Sequence, residues 1–455
     1  MGRRGLIAWV ALIGLSGCAA PKIAPMPLPK HYLRDSASAN APLDQHWWRA
    51  FNNQRLDQLI AQAQAQSPTI QAAQSLVARA RADAAANNGT FLPHLALNPQ
   101  ESRQAFPSGP FGFGPYTIFQ VTGTASENPG LFGARSSAFR NGRARIAYRR
   151  AQAAAARLTI ADDVVVAAIT EAGLEAQIRT EAKIAASAQH LLVLLRGEQQ
   201  AGAIPRLPVL QQRAQLQTSL ALIPALRASA SVQRHAIAVF AGMAPAQLSD
   251  ARFRLGDFAP PADPPLSLPS ILVAQRPDII AARALVSADH AAVGQAVAAL
   301  YPSLTLSAQG GYAAETFNSL FQPGAALWTL AGSLLTPIFE GGVLHAHERA
   351  AQATLANALA TYRLTVLTAF QQVADGLREA QAARATVADD REAARTAEAA
   401  YRLARAQFRL GAVSYNTVLT TEITWQQAVL AQRQAETTRL LDAAALRAAL
   451  AGSAP

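Results

Sequence analysis

The sequence predicts a mainly helical fold with a small β part, built twice from one unit. Three observations carry this: a repeat at long range, short segments of alternating polarity, and very long proline-free stretches rich in alanine. Residues near position n recur near n+209, so Pro68 answers Pro277, Ile70 Ile279, Pro93 Pro302, Gly202 Gly411 and Val209 Val418. Matched alanines mean little in so alanine-rich a chain. Prolines and glycines each fix a backbone event, and their recurrence at one constant offset marks two copies of one structure. A period this long is a duplicated half rather than a solenoid repeat.

The first element is not part of the fold. Arg3 and Arg4 precede an apolar stretch over residues 6–17, which would make roughly 18 Å of helix against a bilayer core of about 30 Å. Residues 1–17 therefore read as a signal peptide rather than an anchor helix. The stretch ends Leu15-Ser16-Gly17-Cys18, and Cys18 is the chain's only cysteine. It can form no internal disulfide. The four residues resemble the bacterial lipoprotein lipobox, which implies acylation of Cys18, cleavage before it and, in enteric bacteria, sorting to the outer membrane. In residues 18–45, Pro21, Pro25, Pro27 and Pro29 rule out helix at the start and suggest a tether.

A first repeat is expected over residues 46–258 and a second, with the same order of elements, over 259–455. In the second, residues 267–300 are helical in pattern, with Pro277 suited to a first turn and Asp278 to the positive end of the helix dipole. In the first, Ser67 is the expected N-cap before Pro68. The period then changes to two. Leu304, Leu306 and Ala308 alternate with Thr305, Ser307 and Gln309; after a loop over 315–324, Trp328, Leu330 and Leu334 alternate with Thr329, Ala331 and Ser333. That predicts two strands, apolar on one face. A weaker version occupies residues 95–103 and 116–126, with Pro99 awkward in the first strand and a turn-rich loop over 106–115.

Next comes a long helix. No proline interrupts residues 342–409, and Ala, Gln, Glu and Arg, all strong helix formers, dominate. Val366, Val373, Ala380, Val387, Ala394, Tyr401 and Phe408 recur every seven residues, as in a coiled-coil seam. Gly411 suits a left-handed C-cap, and Ser414 can cap a return helix reaching about Leu450. The first copy does the same over 136–201, turns at Gly202 and restarts at Pro205. Prolines at 260, 261, 264, 265 and 269 mark a linker between the copies.

Several functions are excluded. The net charge of +11 is dispersed along the chain, lysine occurs only at 22, 30 and 183, and an export signal argues against nucleic acid. His345 and His347, two apart on a helix, point different ways; with Glu348 they read as a solvated face, not a metal site. Gly109, Gly112 and Gly114 lack the strand and helix that a phosphate loop needs. No nucleophile motif occurs, so no enzyme, cofactor or metal is expected. Trp47, Trp48 and Phe51 are expected to pack.

Four amphipathic strands cannot lie in a membrane as an open sheet, because edge amides would go unpaired in hydrocarbon. The smallest closed membrane barrels have about eight strands, so several chains must share one. With this the chain resembles the outer-membrane efflux protein family, the TolC-like outer membrane factors, in its NodT-like lipoprotein branch. The residues that carry the likeness are Trp47-Trp48-Arg49-Ala50-Phe51, Leu131-Phe132-Gly133, Arg276-Pro277-Asp278-Ile279, Tyr301-Pro302-Ser303-Leu304, Pro337-Ile338-Phe339-Glu340-Gly341-Gly342 and residues 411–419. The resemblance implies a homotrimer in the outer membrane, a shared twelve-stranded barrel continued by a helical coiled-coil barrel through the periplasm. It also implies a passive exit duct served by a periplasmic adaptor and an inner-membrane pump. Gly202, Ala203, Gly411 and Ala412 would then form tip turns facing the adaptor, and Asn416, Thr417, Thr420 and Glu422 the constriction. Many relatives carry aspartates where Thr417 and Thr420 stand, so a cation site at the mouth is not implied. The competing expectation, a lipid-anchored periplasmic coiled-coil structural lipoprotein, explains Cys18 and the heptads but not the alternating hairpins.

Overall fold

The computed structural model describes residues 46–105, 115–248, 252–262 and 269–451. The signal peptide, Cys18, the tether over 18–45, most of the loop over 106–115 and part of the inter-repeat linker lie outside them. A short 3-10 helix, Trp47–Phe51, opens the described chain. Then follow α1 (Gln54–Gln66), α2 (Pro68–Gly89), β1 (His94–Gln104), β2 (Tyr116–Glu127), α3 (Ala134–Gln200) and α4 (Arg206–Phe240). The second copy supplies α5 (Pro269–Gln275), α6 (Pro277–Ala298), β3 (Ser303–Ala314), β4 (Ala326–Leu335), α7 (Val343–Arg409) and α8 (Tyr415–Leu450). The helices α3 and α7 are both 67 residues long, and α2, α3 and α4 each start 209 residues before their counterparts α6, α7 and α8.

One expected helix is divided, and a proline is the reason. A proline ring crowds the preceding residue out of helical geometry, so residues 267–300 hold two helices broken at Arg276, ahead of Pro277. Ser67 stands at the expected N-cap position of α2, where its carbonyl accepts the Gln71 N–H of the first turn, and it also closes α1 by donating its N–H to the Ala63 carbonyl. The expected loop over 315–324 contains a 3-10 turn, Phe317–Ser319.

One compact unit comprises Ser75–Ala151 and Ala281–Leu364. Its sheet is antiparallel throughout, in the order β1-β2-β3-β4. The register aligns Leu95, Ala125, Ala308 and Leu330 in one row and Leu97, Gly123, Gly310 and Trp328 in another. These rows share a face. The intervening row, Ala96, Thr124, Gln309 and Thr329, lies on the other. Leu95, Trp328 and Leu330 are 81%, 82% and 76% exposed, so the apolar face finds no cover among the described residues. Pro99 is accommodated because β1 is an edge strand. Gly311 allows β3 to approach β2: a Cβ there would meet the Val121 carbonyl at 2.1 Å.

The helices of this unit follow the order of the strands they adjoin. Gly142 of α3 packs on Ala84 of α2; Asn141 of α3 donates to the Ala288 carbonyl of α6 at 2.7 Å; Val286 and Val293 of α6 pack with Leu355 and Ala358 of α7.

The second unit contains residues 46–74, Gln152–Ile280 and 365–451. Trp47, Trp48 and Phe51 are buried there with Phe253 and Phe258 against the valines and alanines of 160–172. Small residues set close helix approach: a Cβ on Gly173 would strike Thr437 at 2.5 Å. Of the heptad seam, Val366, Val373, Val387, Ala394 and Tyr401 are buried and Ala380 and Phe408 half-buried.

Candidate functional site

The two helix reversals are built alike. After α3, the Ala203 N–H donates to the Glu198 carbonyl and the Gly202 N–H to Gln199; after α7, Ala412 donates to Gln407 and Gly411 to Phe408. Both are Schellman caps, and both require a left-handed residue. Gly202 has φ 76° and Gly411 φ 71°. Each return helix then restarts from an extended residue. Pro205 precedes α4, and Ser414 caps α8 by accepting from the Thr417 N–H. One apolar cluster brings the two hairpin ends together: Leu192, Leu195 and Val209 from the first copy pack with Tyr401, Tyr415 and Val418 from the second.

The structure separates the four expected constriction residues. Asn416, Thr417 and Thr420 are exposed, and the Thr420 hydroxyl donates to the Asn416 carbonyl at 2.9 Å. Glu422 is not with them. It is 0% exposed and lies on the stripe Tyr415, Val418, Glu422, Gln426, the buried face of α8. The reason is helical phase, since three- and four-residue steps from Tyr415 lead inward. A ring of Glu422 carboxylates at the mouth is thus not what this chain presents.

Glu422 instead belongs to a polar cluster inside the junction of the two hairpins. The Tyr415 hydroxyl donates to Gln212 Oε1, the Gln212 amide donates to the Ala188 carbonyl, and Gln215 donates to Gln426. Tyr401 stacks on Trp425 at 5.2 Å. Neither Glu422 oxygen holds a well-formed hydrogen bond. Burial pushes its carboxyl up to about 7, against the opposing pull of the nearby Gln212 amide, Arg405 guanidinium and Gln426 amide. Burial, and then the Glu422 carboxylate, raise the Tyr415 phenol as well.

Elsewhere, a cavity of about 520 Å³ is lined by Asp162, Arg276, Asp375 and Glu379 among others. Arg276 braces it by donating to Asp278, Gln372 and the Ala449 carbonyl. Burial, then the neighbouring Asp163, lifts Asp162 to about 6. Neither Asp162 nor Arg276 is among the site residues expected from the sequence, although the motif Arg276-Pro277-Asp278-Ile279 marks the place of the second. His345 contacts Glu348 at 3.6 Å on an exposed face, and no metal-holding group of side chains occurs among the described residues.

A model of the outer membrane efflux protein family matches residues 59–243 and 268–452, two segments themselves offset by 209. The chain is 30% identical to the pyoverdine export outer membrane protein OpmQ of Pseudomonas putida, over 97% of this chain and 95% of that one. It is 26% identical to nodulation protein T of Rhizobium leguminosarum bv. trifolii, over 88% and 87% of the two chains. Its fold is similar to that of the outer-membrane channel OprN, with a TM-score of 0.89 at 22% identity over 96% and 99% of the two chains.

Proposed function

The chain belongs to the outer membrane efflux protein family, and from that premise we propose that it is the passive exit duct of a tripartite efflux system. It is an outer-membrane channel that extends into the periplasm, forms a homotrimer, and works with a periplasmic adaptor and an inner-membrane pump. The observation that carries this reading is the sheet. Four strands with an apolar face and two edges, β1 and β4, that no described residue pairs are stable in hydrocarbon only when neighbouring copies close them into a barrel. Three copies supply twelve strands. A lipid-anchored coiled-coil spacer would have no use for such a sheet.

The test is the mass of the channel-forming protein in mild detergent. A trimer is expected, and a conducting monomer would refute the shared barrel. Leu330→Arg, on the apolar face, should destabilise the assembled barrel by about 2–4 kcal/mol and reduce the yield of folded trimer.

Three finer points belong to the proposal. The duct performs no reaction of its own, as befits a family of channels. Cys18 carries acyl chains, each buried methylene contributing about 0.8 kcal/mol of membrane affinity; an N-terminal peptide without acyl mass would exclude this. Finally, Asn416, Thr417 and Thr420 line the mouth, and Gly202, Ala203, Gly411 and Ala412 present the tips to the adaptor. A mouth of hydroxyls and amides has no focused negative field to gather cations. Periplasmic divalent cations should therefore block conductance weakly, and Thr420→Asp should introduce block. Strong block of the unaltered channel would rule out a neutral mouth.

A further inference from the structure

Residues 134–161, the first part of α3, hold seven arginines and no acidic residue; the duplicate stretch 343–370 of α7 holds two arginines and one glutamate. Both stretches open helices of equal length at the same place in their copies. The fold therefore does not require this charge. Like charges three and four residues apart on a helix also repel, so the arginines oppose helix stability where they stand. Three of them, Arg140, Arg143 and Arg150, line a groove of about 590 Å³ between α3 and α6, floored by alanines and faced by Ser287 and His290. No carboxylate lines it. Arg140 donates to the Ser137 hydroxyl at 3.0 Å.

The direction of the groove follows from helix geometry, given the channel reading above. Asn141 of α3 faces α6 and Gly142 faces α2, and successive residues differ by about 100°. In a closed ring of helices, two neighbours subtend less than 180° on the side of the lumen. Arg145 and Arg149 fall within that short arc; Arg140, Arg143 and Arg150 fall on the long, outward one. Nor is the groove at a seam between copies, since α3 adjoins β2 and α6 adjoins β3, the two central strands. Arg140 and Arg143 lie roughly 9 and 14 Å along the helix from its first residue, Arg150 about 24 Å. Their Cα–Cβ bonds tilt toward the helix N-terminus, which is the end joined to the sheet. The headgroup layer is about 5–8 Å deep on each side of the hydrocarbon.

We infer that this groove binds the phosphate groups of anionic lipids in the periplasmic leaflet of the outer membrane, continuing the contact that the apolar sheet face makes with hydrocarbon. Arg140 and Arg143 hold the phosphate, with bidentate geometry available to each guanidinium. Arg150, deeper in the periplasm, adds to the field over about a Debye length.

The test is native mass spectrometry of full-length trimer in mild detergent, titrated with phosphatidylglycerol or phosphatidylethanolamine. Wild-type trimer should retain phosphatidylglycerol preferentially. Arg140→Gln with Arg143→Gln should weaken that retention at least fivefold, Arg150→Gln should weaken it less, and Arg140→Lys with Arg143→Lys should keep most of it. Equal retention of both lipids, or an undiminished preference in the double glutamine variant, overturns the inference. So does a double variant that keeps its lipid but loses adaptor-dependent transport, which would make the groove a protein contact. Trimer mass and conductance recorded on the same samples separate these results from failure of the channel reading, which would show as the wild-type protein neither trimerising nor conducting.

Discussion

Glu422 shows how one side chain can make a packed junction depend on pH. Its carboxyl, with an ordinary value near 4.5, is held at about 7 by burial, so the packed junction binds a proton that the unpacked one releases. By linkage, stability falls with pH wherever the native state binds more protons. The junction should therefore be most stable below about 4.5, weaken through the interval up to about 7, and change no further above it. The whole effect is at most roughly 3 kcal/mol per protomer. Glu422→Gln keeps the shape without the charge, and should flatten this dependence and raise the melting temperature at pH 8 while changing it little at pH 4. A variant that melts with the same pH dependence as the wild type would assign the titration to another group, Asp162 being the next candidate because burial also raises it.

At the scale of elements, the reversals carry the sharpest expectation. A Cβ on Gly411 would meet nothing within 4 Å, so the cost of a β-carbon there is the strain of a left-handed backbone, about 1–2 kcal/mol. Gly411→Val should accordingly leave trimer yield intact and depress adaptor-dependent efflux. Loss of the trimer would place Gly411 in assembly instead. The elements themselves were readable because they are periodic. The heptad seam from Val366 and the alternation from Leu304 each state a face directly, and Gly202 and Gly411 state where it ends. The break at Arg276 is hidden because helix-forming residues run through it and mask the effect of the proline that follows, whereas Ser67 before Pro68 marks the start of α2 openly. Glu422 was misplaced for a different reason. An acidic residue reads as exposed, since carboxylates are seldom fully buried. Its burial is decided by Gln212 and Tyr415, partners 203 positions apart whose meeting no local pattern announces.

For the molecule as a whole, the chain divides its charge and polarity by region rather than averaging them. The sheet presents apolar rows to one side and hydroxyls and amides to the other. Seven arginines stand in the opening stretch of the first long helix, residues 134–161, against two in the equivalent stretch of the second, residues 343–370. Duplication thus conserved the backbone while the surfaces diverged. Sequence legibility follows the same division. What both copies share, the order and length of elements, could be read twice and checked against itself. What only one copy has, such as the buried glutamate whose counterpart 209 residues earlier is Arg213, had no such check.

The equal length of α3 and α7 constrains how this protein can change. Their ends meet in one cluster in which Leu195 and Val209 pack with Tyr415 and Val418. An insertion in one helix alone would carry its reversal past the other and pull these residues out of register, by about 1.5 Å for each residue gained. A gain of seven in one copy preserves the seam and still breaks the cluster. Only the same gain in both copies preserves both. Substitutions can accumulate independently in the two halves, as the arginines did, but length cannot: the two helices are tied together as a pair of rails is tied by its sleepers, free to differ in surface and bound to one measure.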